Sequence, residues 1–238
     1  MIFADFYRGK TVLVTGHTGF KGSWLTAWLL KLGARVVGVS KDVPTVPSMF
    51  QELGLAGAIR HVVADIRDLE SMRSLVGEVQ PDVVFHLAAQ AIVSRSYGDP
   101  VETMSTNIIG TMNILEAMRT LARPCFAVLI TSDTCYDNVE WHWGYRETDA
   151  LGGKDVYSGS KGAAELVIKS YLHSFFQKPL PDPIPLKIEF PTSIPLKIEF
   201  PTSKIEFPTS KSSFLPVVGL EGWGTTRVRL RFQPEPSP

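Results

Sequence analysis

Between Thr11 and Gly22 the chain reads TVLVTGHTGFKG, an apolar run that passes straight into three glycines spaced three apart, Gly16, Gly19 and Gly22. A segment of helical spacing, Phe20 to Leu32, follows without a gap. Few sequence features restrict a fold as tightly. They demand a strand, a turn that only glycine makes easily, and a helix whose first turn is open to an anion. Gly16 suits the turn, and Gly19 lets the backbone approach a pyrophosphate. The unsatisfied N–H groups of the helix start, with the helix dipole behind them, would hold its charge. Gly16, His17, Thr18, Gly19, Phe20, Lys21 and Gly22 are therefore a candidate cofactor-binding loop.

The same alternation continues as far as Phe176. Strand-like runs are expected at Ala34 to Ser40, Ala58 to Asp65, Asp82 to Ala89 and Phe126 to Ser132. Helical stretches separate them at RDLESMRSLVGEV, at Pro100 to Leu121 and finally at Val156 to Phe176. The run DVVFHLAA is almost wholly apolar, which suits a strand covered on both faces. Pro100 falls where a helix tolerates it, in the first turn. Right-handed crossovers would wind these units into an α/β fold with a doubly wound, Rossmann-like parallel sheet.

After Lys178 the composition changes. Ile184 to Ser210 is IPLKIEFPTSIPLKIEFPTSKIEFPTS, one ten-residue phrase given twice and then clipped. Its alternation of apolar and charged residues has strand period, but a repeat array needs about three full units to bury a continuous face. The expected organisation is a dinucleotide-binding domain over 1–177 and an atypical proline-rich repetitive tail over 178–238, either disordered or a marginal β-meander. TTRVRLRF near the end reads as one more edge strand.

Charge and cysteine content exclude several function classes. Lys plus Arg and Asp plus Glu both total 24, so nothing favours nucleic acid or an anionic membrane, and a small-molecule partner is expected. The two cysteines, Cys125 and Cys135, have neither a CxxC spacing nor a His/Cys cluster around them, so metal is not expected. A reducing, cytoplasmic setting fits this usage. No apolar stretch approaches the ~20 residues of a membrane span, and neither a signal peptide nor an anchor is expected.

Further cofactor contacts are expected at the ends of the later strands. Asp65 could accept from an adenine amino group, Ala88 and Ala89 keep the bed shallow, and Ile66, Gln90 and Asn107 complete the set. After the second strand Asp42 could bind a ribose, which favours NAD, whereas His17, Lys21 and Lys41 would tolerate a 2′-phosphate. Both readings stay open.

Tyr157 and Lys161 are four apart on a helical segment and so share a face. An ammonium beside a phenol stabilises phenolate, lowering the tyrosine pKa from ~10 toward a value usable by a general base.

Taken together, TGHTGFKG, HLAAQ, TSDTCYDN and YSGSK resemble the extended short-chain dehydrogenase/reductase family. VPTVPSMF, WHWGYRE and GGKDVYSGSKG are similar to its CDP-glucose 4,6-dehydratase branch, from Phe6 to about Phe176. The resemblance implies an NAD-dependent lyase acting on a nucleotide-sugar, CDP-glucose, to give CDP-4-keto-6-deoxyglucose. The sugar is oxidised at C4, water is lost across C5 and C6, and the hydride returns to C6. It further implies that Tyr157 deprotonates the C4 hydroxyl while Lys161 assists it and binds the nicotinamide ribose. Ser132 would hold the C4 oxygen, and Asp133, kept protonated by burial, would be the acid for the C6 hydroxyl. A homodimer through the helices of Pro100 to Leu121 and Val156 to Phe176 is also implied.

The chain departs from that pattern in places. Thr134 stands where the branch carries Lys or Glu, and a small residue there resembles the C4 epimerases. Ser94 stands where relatives often have Arg. After Phe176 the Arg-Gly-Asn-like segment and substrate-clamping domain of the family are not recognisable. Three functions follow: a nucleotide-sugar 4,6-dehydratase with reduced turnover, a catalytically silent dinucleotide-binding or interaction protein, or a C4 epimerase or reductase.

Overall fold

The computed structural model describes residues 4–176; the repeats and the C-terminal segment lie outside the described residues. A short helix α1 (Ala4–Tyr7) precedes β1 (Thr11–Thr15), α2 (Phe20–Lys31) and β2 (Arg35–Ser40). Next come α3 (Met49–Glu52), a 3-10 turn (Leu55–Gly57), β3 (Arg60–Val63), α4 (Leu69–Val79) and β4 (Val83–His86). Helices α5 (Val93–Gly98), α6 (Pro100–Met104) and α7 (Gly110–Met118) lead to β5 (Phe126–Leu129). A 3-10 turn (Asp133–Cys135) and α8 (Val156–Tyr171) complete the order, with a π-helical end at Leu172–Phe176. The strands are shorter than the apolar runs that announce them, and α3 and α5 fall in stretches without long periodicity.

All strand pairs are parallel, in the order β3-β2-β1-β4-β5. The register sets Val12 between Val36 on β2 and Val83 on β4. Because side chains alternate across a strand, β1 feeds two cores. Leu13 joins Met72, Ile114, Leu115, Met118, Leu129 and Ile168 against α4, α7 and α8. Val12 and Val14 join Leu29, Ala34 and Val36 on the face covered by α2. This is the doubly wound arrangement expected, with each large buried side chain worth roughly 1.5–3 kcal/mol.

Helix ends are marked by the residues that suit them. Asp68, Asp99 and Asp155 cap α4, α6 and α8, each carboxylate accepting from the backbone N–H three residues on. Pro100 is in the first turn of α6. The expected single helix from Pro100 to Leu121 is instead interrupted by a π-helical turn at Ser105–Ile109. That turn rotates Asn107 inward, where it is 1 % exposed. Among the described residues no helix is long and apolar enough to cross a membrane.

The strand order reverses between β1 and β4. A crevice opens at such a switch point, above the carboxyl ends of the strands.

Candidate functional site

The loop after β1 is built by close backbone packing. Gly16 has φ +74°, and a Cβ there would sit 2.7 Å from the Ala88 nitrogen. Gly22 presses on the same turn, where a Cβ would lie 2.1 Å from the Gly16 carbonyl oxygen. Gly16 N donates to Val39 O at 2.8 Å, and Gly19 N to Gly16 O at 3.1 Å. Around Gly19, by contrast, a Cβ would meet only Gly16 O, at 3.4 Å. Gly19 is the N-cap of α2 and contributes no side-chain cap, and the first turn of α2 contains no acid. The helix start is thus open and electropositive, and it fits a pyrophosphate.

The side chains of this loop divide into two groups. Phe20 and Lys21 are exposed, whereas Thr18 is buried and donates through Oγ1 to the Asp42 carbonyl at 2.7 Å. The His17 ring turns inward and is fully buried, with Nε2 at 2.7 Å from His61 Nδ1 and Nδ1 at 3.0 Å from Ser40 Oγ. Phe50 meets its ring edge to face, and Gly38 leaves room for it, since a Cβ there would be 2.4 Å from the ring. Burial pulls the His17 pKa down to about 4, with the nearby His61 adding to the effect and a Val39 carbonyl contact opposing it. His17 is therefore a neutral wedge beneath the loop and is not the cation that the sequence offered for a 2′-phosphate.

Asp65, Ile66 and Asp42 sit at the ends of β3 and β2. The Asp65 carboxylate is gripped by Arg67, at 2.6 Å to Nη2 and 3.0 Å to Nε, and this bonding lowers its pKa. Arg67 is a neighbour that the sequence reading passed over. Ile66 is buried against Gly110, where a Cβ would be 2.4 Å from Ile66 Cδ1. Asp42 is exposed beside the loop.

A chain of buried hydrogen bonds runs from β1 to α8. Thr15 Oγ1 accepts from Leu87 N and Ala88 N at 3.1 and 3.0 Å. Both its lone pairs are then used, so its proton goes to His86 Nδ1, 2.7 Å away. His86 must carry its hydrogen on Nε2, which faces Thr111 Oγ1 at 3.1 Å; Thr111 in turn donates to Asn107 O at 2.7 Å. Asn107 Oδ1 accepts from Gln90 N at 2.9 Å, and its Nδ2 donates to Gln90 O and to Ser160 Oγ at 3.1 and 2.8 Å. Ser160 Oγ donates to Tyr157 O at 2.6 Å. Ala88, Ala89 and Gln90 are thereby fixed between the phosphate loop and the helix that carries Tyr157 and Lys161.

His86, Thr111 and Ser160 were not anticipated from sequence. A usable signal for His86 existed, a lone polar residue in the apolar run DVVFHLAA. Burial holds its pKa at about 3, Lys161 adding to the effect.

Tyr157 is half-buried in the first turn of α8, with its ring centroid 6.0 Å from Lys161 Nζ. Lys161 is 5 % exposed. Burial draws its pKa down to about 8, opposed by Glu165 and reinforced by Lys21. The pKa of Lys21, an exposed residue, is itself lowered by partial desolvation, with Asp133 opposing. Lys21, at the start of α2, is thus near enough for its charge to act on both Lys161 and Asp133.

Ser132 and Asp133 follow β5. Ser132 Oγ donates to Asp133 Oδ1 at 3.1 Å, accepts from Thr134 N and lies 3.0 Å from Thr134 Oγ1. Asp133 is exposed, so the burial expected to keep it protonated is not provided by the described residues. Within this 3-10 turn Cys135 points inward and is buried, whereas Asp133 and Thr134 are exposed among the described residues. The turn is nevertheless seated on α8. Gly162 admits the Gly152 and Cys135 carbonyls, which a Cβ would meet at 2.6 and 3.1 Å. Cys125 and Cys135 are buried and unpaired, and burial pushes their thiols up to about 12 and about 11. No cluster of potential metal ligands occurs among the described residues.

Fold and site together define a Rossmann-like domain of the short-chain dehydrogenase/reductase kind. The chain belongs to the GDP-mannose 4,6 dehydratase family, whose family model matches residues 13–206. It is 51% identical over 176 residues to a CDP-glucose 4,6-dehydratase of Salmonella typhimurium, covering 74% of this chain and 49% of that one. To a dTDP-glucose 4,6-dehydratase of Xanthomonas campestris it is 31% identical, covering 69% of this chain and 50% of the relative. Among solved structures, the UDP-glucose 4-epimerase of Thermus thermophilus in complex with NAD matches with a TM-score of 0.60 and 30% identity, over 69% of this chain and 51% of that one. The chain spans about half the length of the curated relatives it matches.

Proposed function

We propose that residues 1–177 form the dinucleotide-binding domain of an NAD-dependent nucleotide-sugar 4,6-dehydratase whose substrate is CDP-glucose. The observation that carries this reading is that the turn bearing Ser132 and Asp133 is seated on the Tyr157/Lys161 helix at Gly162, while Lys21 at the start of α2 is near enough for its charge to act on Lys161 and Asp133. The relatives' names supply the substrate class.

NAD would lie along Gly16 to Gly22, with Asp42, Asp65 and Ile66 toward its adenosine end. Ala88, Ala89, Gln90 and Asn107 would floor the bed, and Tyr157 and Lys161 would flank its nicotinamide end. Bound there, it accepts a hydride and later returns it. Tyr157, as phenolate, takes the proton of the C4 hydroxyl and becomes the neutral phenol, and Lys161, an ammonium below about pH 8, favours the phenolate that begins the step. Ser132 holds the C4 oxygen. Asp133, exposed among the described residues, would give a proton to the departing C6 oxygen only with substrate covering it and excluding water. Thr134 supplies only a hydroxyl next to this acid, and losing a positioned base typically lowers a rate by ~10²–10⁴. Turnover below that of the Salmonella relative is expected for this reason.

The same threonine favours a second reading, C4 epimerisation, in which no water is eliminated. Exposed Val101, Met104, Ile109 and Leu166 lie on the helices through which a homodimer would form. Two buried, unbridged cysteines accord with a cytoplasmic setting.

NMR of CDP-glucose incubated with the protein and NAD tests the proposal. A 4-keto-6-deoxy product supports dehydration and a C4-inverted sugar supports epimerisation. An unchanged sugar in the presence of bound NAD leaves dinucleotide binding alone.

A further inference from the structure

Glu165 lies one helical turn beyond Lys161 on α8 and is only 7 % exposed. A carboxylate so placed is costly to bury unless it is hydrogen-bonded and charge-paired. The hydrogen bond is present, and a buried lysine lies one helical turn away. The Thr131 hydroxyl donates to Glu165 Oε1 in a short hydrogen bond across 34 residues of sequence. Thr131 immediately precedes Ser132, so this bond fastens the catalytic turn to the helix that carries Tyr157. Lys161, 5 % exposed, is the buried cation one turn before it on the same helix, and Lys169, one turn beyond, is exposed.

We propose that Glu165 is a positioning residue with two tasks: its carboxylate ties Thr131, and through it Ser132 and Asp133, to α8, and it is the buried counter-charge of the Lys161 ammonium. The proposal rests on the function assigned above to Ser132, Tyr157 and Lys161, but its two physical claims stand on the apoprotein.

The surroundings of Lys161 single out Glu165. On α8 Tyr157 is one turn before it; from β4 His86 approaches, held neutral by burial; from α2 comes Lys21, a like charge; from the 3-10 turn comes Cys135, held a neutral thiol. Asp133 acts on Lys21. Among these, Glu165 is the carboxylate whose charge favours the Lys161 ammonium against burial. Without it, burial and Lys21 act together to remove the proton.

Two substitutions separate the tasks. Glu165→Gln keeps an oxygen that can accept from Thr131 and removes the charge. Thr131→Val keeps the shape and charge and removes the bond. Lys161 can be followed in apoprotein labelled with ¹³C at lysine Cε, its signal assigned with Lys161→Arg. The titration midpoint is expected near 8 in the parent chain and about one unit or more lower in Glu165→Gln, with Glu165→Asp restoring part of the difference. A midpoint unmoved by loss of the charge would overturn the counter-charge claim.

In Thr131→Val, amide hydrogen exchange at Ser132 to Cys135 should quicken about tenfold while the centre of α8 stays protected. Unchanged exchange would overturn the tie. If Glu165→Gln fails to fold, the Thr131→Val exchange and the Glu165→Asp titration still decide the matter. Both effects without any NAD binding would sustain the positioning role and sink the dehydratase reading.

Discussion

Asn107 donates from Nδ2 to Ser160 Oγ at 2.8 Å, and this bond joins the π-helical turn between α6 and α7 to the helix bearing Tyr157 and Lys161. The same side chain satisfies both backbone groups of Gln90. Asn107→Ala would leave several buried polar groups without partners. At ~1–3 kcal/mol for each unsatisfied group, a loss of about 2–4 kcal/mol is expected. Urea denaturation checks it, and a midpoint within error of the parent would contradict the bridging role.

The three loop glycines should respond differently. A Cβ at Gly22 would strike the Gly16 carbonyl at 2.1 Å, so Gly22→Ala should destabilise the fold itself. A Cβ at Gly19 meets only one atom at 3.4 Å and points where a pyrophosphate would approach. Gly19→Ala should therefore melt within about 2 °C of the parent yet bind NAD at least tenfold more weakly, ~1.4 kcal/mol. Calorimetric titration beside thermal melts distinguishes the two, and equal NAD affinity in Gly19→Ala would argue against the cradle.

Acid should unfold the domain through its buried histidines. Folding holds His17 at about 4 and His86 at about 3, below an ordinary value of 6.5, so both rings are neutral in the native state. Above pH 6.5 neither state binds these protons and stability is unaffected by them. As pH falls from 6.5 toward 4 and 3 the unfolded chain gains protons that the native chain refuses, and stability is lost. Each ring contributes up to ~1.4 kcal/mol per pH unit in that window. Urea midpoints measured from about pH 7 to about pH 5 should drop, and His86→Gln should show a shallower slope even though its starting stability is lower.

Tyr157→Phe removes the proposed base and keeps the ring that lies 6.0 Å from Lys161 Nζ. NAD affinity should change by less than about threefold, while any 4-keto product forms ~10²–10⁴ times more slowly. Parallel loss of affinity and product would place Tyr157 in binding and deny it the proton transfer.

Sequence was most informative where one local regularity implied one structure. Glycines at 16, 19 and 22 after an apolar run fix a strand, turn and helix because backbone sterics leave little else. Tyr157 and Lys161 share a face because a helix brings i and i+4 together. The parallel sheet follows from alternating apolar and amphipathic runs, whose burial on both faces leaves few other arrangements. Boundaries were less legible: the run expected as a strand to Ser132 ends as β5 at Leu129, one residue before the last backbone bond to β4, from Ile130 N to His86 O at 3.0 Å.

The tertiary structure alone decided which polar residues turn inward and what they meet. His17 and His61 are 44 residues apart in the chain, Thr15 and His86 are 71 apart, and Thr131 and Glu165 are 34 apart. No local period reports such pairs, since they exist only once β1 lies between β2 and β4 and α8 packs beneath the turn after β5. For the same reason the glycine loop declared itself in the sequence, while the neutral state of His17, the exposure of Asp133 and the tie from Thr131 to Glu165 were settled by which elements became neighbours and how much water they excluded.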